Sequence, residues 1–524
     1  MKKLPIGIQS FSKLREYDCV YIDKTSFVAQ LVEHPGAFFL SRPRRFGKSL
    51  LVDTIQCLFE GQREWFRGLF IEQRWDWSVT HPVIKLDFAE GILHSREALE
   101  QRIVDMLRQN LERLGLEDQP ERDLAGRFSY LIRAAAQTTG QKTVVLIDEY
   151  DKPILDNIDG PEMAAEMREV LKNLYSVLKA QDAHLRFVFM TGVSQFSKVS
   201  LFSGINQIRD ISLSRQYATL CGYTQPDLET HFADHLAGVD WQRLKAWYNG
   251  YNFLGEPVYN PYDILLFISE GYDYRNYWFE TGSPSFLIKL FQQNNYFLPD
   301  LEQLEVSEEL LGAFEIEQIH PVTLLFQSGY LTIERAFAEF GGQAFYRLKI
   351  PNQEVRQALM HQLFAGYTQQ TEVQPPLLRK VYHALQNADL SGLQAHLKSL
   401  FAGIPWRYFT HTRLADSEGY YASVLYAFLS SLNATLIPED ISNKGQADLT
   451  VMVGDCIYVL EIKRDTQADY QPQTPNPTLQ QIQQRGYADK YRNSGKRVFS
   501  VGMIFNTYQR NLVQMDWQAL LAGE

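Results

Sequence analysis

The chain has 524 residues, with 51 Lys and Arg against 62 Asp and Glu and a net charge of −11. That length exceeds a single core and implies roughly three domains, and the acidic balance argues against a surface that coats nucleic acid. No apolar stretch reaches bilayer length, residues 1–5 lack a signal-type apolar core, and Cys19, Cys57, Cys221 and Cys456 lack metal-type spacing, so a cytoplasmic protein with reduced, structural cysteines and no membrane partner is expected.

Residues 1–215 alternate apolar strands with helices, which implies a mostly parallel sheet covered on both faces. Residues 37–40 read as a buried strand and Lys48 opens an apolar helix, with Ser41-Arg42-Pro43-Arg44-Arg45-Phe46-Gly47-Lys48-Ser49 between them. A phosphate-binding loop needs free N–H groups at a helix N-terminus, a lysine that reaches the outer phosphates and a hydroxyl for magnesium. Gly47, Lys48 and Ser49 supply the end of that motif, whereas Arg42 stands where the first glycine is usual. Arg42, Arg44 and Arg45 are therefore read as weaker ligands whose side chains point out to solvent. Residues 83–88 form a further strand and 97–114 a long amphipathic helix. The β-branched run 142–149 ends in Asp148 and Glu149, acids that a P-loop NTPase uses to hold the Mg²⁺ shell and polarise water. Asp151 lies close enough to share the second role. Residues 186–190 form another strand, and Thr191 and Ser194 beyond it are either phosphate sensors or strand-end caps.

From Gly222 the pattern turns helical, with Thr224 as N-cap of a helix over 227–236. Residues 324–327, 330–334 and 345–350, with the Gly341-Gly342 turn and a helix from Asn352, suggest a winged-helix unit, read here as a packing module rather than a DNA reader. Pro375-Pro376 marks a boundary before helices that reach about residue 402.

The most informative stretch comes last. Two β-rich runs flank Gly454-Asp455, a turn that favours a tight hairpin. Closure by Val453 and Cys456 sets Asp448 opposite Glu461, with Cβ atoms about 4.5–5.5 Å apart, and Lys463 two residues on shares that face. Two acids and a lysine on an apolar hairpin are costly to bury without a purpose, and a divalent metal supplies one. Residues 471–477, with three prolines, read as a loop.

This hairpin resembles the PD-(D/E)XK nuclease superfamily, with Asp448 as the isolated acid and Glu461-Ile462-Lys463 as the E-x-K element. The resemblance extends to Glu418, at the head of the apolar helical run 419–432, and to Gln481 on a helix after the hairpin, although the proline-rich loop departs from the more direct connection of related sequences. The whole chain is similar to bacterial AAA-ATPase-like proteins that carry such a C-terminal domain. That likeness rests on residues 4–8, 21–25, 42–49 and 146–151, on Trp247-Tyr248-Asn249-Gly250-Tyr251, and on Val258-Tyr259-Asn260-Pro261.

The resemblance implies a P-loop ATPase domain over 1–215, a helical lid and winged-helix-like region over 216–370, a helical connector over 371–404 and an α/β nuclease-like domain over 405–524. ATP is expected at Arg44, Arg45, Phe46, Gly47, Lys48, Ser49, Asp148 and Thr191, with Mg²⁺ on Ser49 and Asp148 and Glu149 as the catalytic acid. Asp448, Glu461 and Glu418 are expected to hold Mg²⁺ or Mn²⁺ for cleavage of nucleic acid, DNA favoured, with Lys463 and Gln481 assisting. The expected function is an ATP-hydrolysing, metal-dependent nuclease, and defence or mobile-element biology is a setting that no residue shows. The alternative is a nucleotide-switched protein, binding nucleic acid or remodelling proteins, whose nuclease-like domain does not cut. A homo-oligomer stays open.

Overall fold

The computed structural model describes residues 1–195, 201, 208–278, 298–302, 304–312, 320–339, 342–368, 375–404, 418–432 and 434–520. The chain divides into two compact units, one of residues 1–282 with 305–354, the other of residues 283–304 with 355–524.

The first unit is built on five parallel strands: β1 (Gly36–Ser41), β2 (Val83–Asp87), β3 (Thr143–Asp148), β4 (Leu185–Gly192) and β5 (Arg209–Asp210). Their order is β2-β3-β4-β1-β5. Every residue of β3 is buried, as a strand covered on both faces requires. Amphipathic helices Arg96–Arg113, Leu124–Thr139 and Pro161–Ala180 turn Leu99, Ile103, Leu131, Leu171 and Leu174 into the core. Since all strands run the same way, β1, β3 and β4 release their following loops at one sheet edge, where ligands of such folds bind. From β1 the chain passes into helix α1 (Lys48–Phe59).

The rest of this unit is mostly helical. Thr224 caps Gln225–His231 through a reciprocal capping box with Asp227, a helix shorter than the 227–236 read from sequence. Asn260 caps α2 (Pro261–Ser269), and Leu228, Phe232, Leu244, Tyr248 and Phe267 share one core. Strand β6 (Glu305–Ser307), helix α3 (Pro321–Ser328) and the hairpin β7 (Thr332–Glu339) and β8 (Gln343–Lys349) follow, with strand order β6-β8-β7, and helix α4 (Gln353–Thr368) begins in this unit and continues into the second from Val355. This is the helix, hairpin and helix succession expected of a winged-helix unit.

In the second unit, α5 (Glu418–Ser430) precedes a sheet of β9 (Thr435–Ser442), β10 (Gly445–Val453), β11 (Cys456–Asp465), β12 (Arg497–Asn506) and β13 (Asn511–Leu520). The order is β13-β12-β11-β10-β9, with β11 and β12 parallel and the other pairs antiparallel. Helix α6 (Pro477–Arg485) connects β11 to β12. No described helix is long and apolar enough to cross a membrane, and the four cysteines are buried and free.

Two buried charges tie the strand ends of the first unit together. Arg42, expected at the surface, is 1% exposed. Its guanidinium donates to the carbonyl oxygens of Ser41 (2.8 Å), Ser212 (2.7 Å) and Tyr217 (3.2 Å) and lies 3.9 Å from the Phe253 ring centroid. Its planar fork of donors suits several carbonyls at once, which a solvated lysine-like cation would not need. Burial pulls its pKa down to about 10.

Asp151 is fully buried and accepts from the Ser194 N–H (2.7 Å), the Ser194 hydroxyl (2.6 Å) and the Val193 N–H (3.3 Å). Burial pushes its carboxyl up to about 6, Glu149 adds to the rise, and the Ser194 hydrogen bonds oppose it.

Arg42→Ala leaves three carbonyls without their donor and should lower the unfolding free energy by about 3 kcal/mol in urea titration. For Asp151, the folded-state pKa lies above the ordinary 3.8, so the native state holds more protons than the unfolded chain between the two values. Its contribution to stability therefore falls as pH rises from about 4 to about 6. Asp151→Asn keeps an acceptor for Ser194 and should flatten that slope in denaturation midpoints measured across the window.

Candidate active sites

Gly47 adopts φ +89° as the residue before α1, a left-handed conformation that glycine takes without cost. That turn aims the first amides of α1, at the positive end of the helix dipole, toward whatever sits above the loop. Lys48 is 3% exposed. Its amine donates to the carbonyls of Arg42 (3.1 Å) and Pro43 (3.3 Å) and lies 3.5 Å from Glu149 Oε1. Lys48, Ser49 and Glu149 line a cavity of about 550 Å³, whose apolar wall includes Ile8, Val20, Ile22, Leu220 and Leu265. A charged end and an apolar end in one cavity suit a nucleotide.

Asp148 is fully buried at the end of β3. Its Oδ1 accepts from the Glu149 N–H (3.1 Å) and the Thr191 hydroxyl, whereas Oδ2 has no hydrogen-bond partner among the described residues. An orphaned carboxylate oxygen is costly to bury. With the Ser49 hydroxyl delivered to the same sheet edge, the oxygen donor set fits Mg²⁺.

The remaining loop residues separate by environment. Arg42 is structural, because three carbonyls hold its side chain inward, which corrects the solvent-facing reading. Arg44 and Arg45 are exposed, and Arg45 lies 4.4 Å from the Tyr262 ring centroid. Phe46 lines the cavity, but its ring is buried against Tyr251 and Phe253. Thr191 spends its hydroxyl on Asp148 and so acts through that acid. Asp151, read from the sequence as close enough to share the role expected of Glu149, directs its carboxylate to Val193 and Ser194. One acid escaped the sequence reading: Asp87 ends β2 as the Cα partner of Asp148, its carboxyl pushed up by burial and by Asp148 and Glu149. A second strand ending in aspartate was the available signal.

In the second unit the β10–β11 ladder runs from Val453↔Cys456 to Leu449↔Leu460. The ladder ends one step short of the pairing of Asp448 with Glu461 expected from the turn. There Asp448 Oδ2 accepts the N–H of Ile462, at 2.6 Å, and so is drawn to the backbone of the E-x-K segment. Glu461 is 5% exposed, and its Oε1 accepts from the side-chain amide of Gln481. Lys463 is half-buried on the Glu461 face by strand alternation. Glu418 begins α5, but its side chain lies outside the described residues.

Two residues that the sequence reading passed over place Gln481. Gly502 on β12 is the Cα partner of Glu461, and a Cβ there would lie 2.4 Å from the Leu479 nitrogen. Only a residue without a side chain lets α6 come this close to the sheet. Asn476, at the end of the proline-rich loop, caps α6 by accepting from Thr478 (2.9 Å) and Leu479 (3.3 Å). Its amide donates to Gly502 O (3.2 Å) and Asp516 Oδ2 (2.9 Å). The loop thus docks α6 instead of displacing it. The Asp448 and Glu461 carboxylates, the Gln481 carboxamide and the Lys463 amine are the group types that suit a hard divalent cation and the orientation of water, while among the described residues no three His, Cys, Asp or Glu side chains gather into one metal-holding cluster.

Comparison with known proteins agrees with this division. Residues 5–202 match the family model described as Predicted AAA-ATPase, and residues 416–515 match that of the PD-(D/E)XK nuclease superfamily. An Azotobacter chroococcum mcd 1 protein, described as "Uncharacterized protein in vnfD 5'region", is 45% identical over 514 residues, covering 98% of each chain. With that relative aligned almost end to end and residues 5–202 and 416–515 matched by their models, the chain belongs to the bacterial AAA-ATPase-like proteins that carry a C-terminal PD-(D/E)XK nuclease-superfamily domain.

Proposed function

We propose that this chain is a cytoplasmic, ATP-hydrolysing, metal-dependent nuclease that cleaves nucleic acid, DNA in preference to RNA. The observation that carries the reading is the meeting of Asp448 with the Ile462 amide and of Gln481 with Glu461, on the face Lys463 shares. A buried hairpin has no packing reason to collect these groups.

In the ATPase unit, the Lys48 amine and the first amides of α1 would bind the outer phosphates, with Arg44 and Arg45 at the rim. Ser49 and Asp148 would hold Mg²⁺, and Thr191 fixes the orientation of Asp148. Glu149 would accept a hydrogen bond from water and steer it in line with the terminal phosphate. Lys48 neutralises Glu149 across 3.5 Å, and phosphate entering between them would draw the lysine away and release the carboxylate for that work.

In the second unit, Asp448 and Glu461, joined by Glu418, would hold Mg²⁺ or Mn²⁺. When bound, such an ion would supply a water of lowered pKa and would offset charge on the scissile phosphate. Lys463 orients the attacking water and shields the phosphate, while Gln481 keeps Glu461 in one rotamer. The two chemistries sit in separate units, so ATP turnover gates access to cleavage rather than taking part in it.

Lys48→Ala should raise the Kd for ATP by about 100-fold, as expected for loss of a charge-assisted contact in a cavity. Glu149→Gln should leave that Kd within about threefold and slow hydrolysis by about 100-fold or more. Equal loss of binding in both variants would sink the separation of roles. Lys463→Ala should slow cleavage of labelled DNA with Mg²⁺ by about 100-fold or more at unchanged ATPase rate. Gly502→Ala, which forces α6 from the sheet, should cost about 10- to 100-fold in cleavage, the range seen when outer-shell partners of a metal site are lost. No Mg²⁺- or Mn²⁺-dependent cleavage by wild type, with or without ATP, would replace the nuclease with the non-cutting reading.

A further inference from the structure

The aromatic-rich segments 247–253 and 258–263 belong to no step above, yet four residues of the phosphate loop lie on them. Arg42 stacks on Phe253, the Arg44 carbonyl lies 3.5 Å from the Asn260 amide, Arg45 covers Tyr262, and Phe46 meets Tyr251 edge to face. Beneath this contact lie two acids with no exposure at all, Asp263 in the first turn of α2 and Glu354 in the first turn of α4. Glu354 Oε1 accepts the Trp278 N–H at 2.8 Å. Among the described residues, neither oxygen of Asp263 receives an N–H donor or a cation, and the buried Tyr251 hydroxyl beside the pair has no hydrogen-bond partner.

The groups facing Asp263 are Glu354 from α4, Arg45 from the phosphate loop, and the hydroxyls of Tyr248 and Tyr251. Tyr277 also faces Glu354. Burial, and then Glu354, push the Asp263 carboxyl well above the usual range, and Arg45 is the one group pulling it back. Like charges this deeply buried cannot both ionise cheaply, and a nearby cation favours the ionised form. That cation is itself exposed, in a left-handed loop position (φ +70°), and it lines the cavity beside Lys48 and Ser49. A ring face holds a guanidinium weakly at such an exposed site, and phosphate competes for it strongly.

Resting on the nucleotide reading above, we propose that Arg45 moves from Tyr262 to the nucleotide phosphates on binding, and that the Asp263–Glu354 pair then takes up a proton from solvent. Asp263 is thereby a positioning residue: it draws Arg45 back over Tyr262 when the nucleotide leaves. The sign follows from charge. Withdrawal of a cation, and arrival of anionic phosphate, both favour the protonated pair. Nucleotide affinity then rises as pH falls, by up to about tenfold per pH unit for one whole proton.

The test is isothermal titration of MgATPγS into the full chain at about pH 8, above the last ionisation of a phosphate ester, in two buffers of different ionisation enthalpy. Wild type should bind with net proton uptake, Arg45→Lys should keep that uptake, and Arg45→Ala and Asp263→Asn should lose it while still binding. Should Asp263→Asn fail to fold, Glu354→Gln and the exposed Arg45→Ala carry the comparison. Uptake undiminished in Arg45→Ala, or in the folded acid variant, overturns the proposal, as does binding by wild type without uptake. Absence of binding by wild type overturns the nucleotide reading itself, a result distinct from the other two.

Discussion

Buried charge that must find partners is the constraint on which the ATPase-like unit depends. Arg42 resolves it with carbonyls from three segments, Asp151 with amides and a hydroxyl from the end of β4, and Asp148 with Thr191. Each solution links a strand end to a distant piece of chain. The loop carrying Lys48 is thus anchored on one side by Arg42, and the acids facing it are anchored on the other by β4. Removing a partner from such a group costs more than a surface ion pair contributes, because the remaining charge stays out of water.

The second unit meets a different constraint, closeness of approach. Glu461 lies opposite a glycine on β12, and the helix that follows the hairpin settles over that gap. The Asn476 cap then fixes where along β12 the helix begins. Side-chain chemistry at Gln481 and Glu461 therefore depends on an absent side chain one strand away. Asp448 completes the arrangement through the backbone, its carboxylate taking an amide that the open end of the β10–β11 ladder leaves available.

Much of this was legible in the sequence. The strand-loop-helix at 36–59, the apolar run ending at Asp148 and the Gly454-Asp455 hairpin rest on local patterns, and the hairpin register follows from turn length alone. Interactions between distant segments were not legible. Nothing local to Arg42 says that Ser212, Tyr217 and Phe253 will enclose it, and an arginine in a loop ordinarily belongs to solvent. Proline-rich residues 471–477 read as an interruption because the cap they deliver depends on Gly502 and Asp516. Asp87 needed the strand order, which single-strand patterns do not contain.

Glu149 carries φ +50°, a left-handed backbone that a residue with a long side chain adopts at a cost of about 1–3 kcal/mol. Glycine would sit there relaxed. Under the hydrolytic role proposed for Glu149, this is a place where folding and turnover ask for different amino acids. Sequence drift in a copy of this protein released from its work would be expected to surface first at this residue, as a chain that is harder to melt and slower to act.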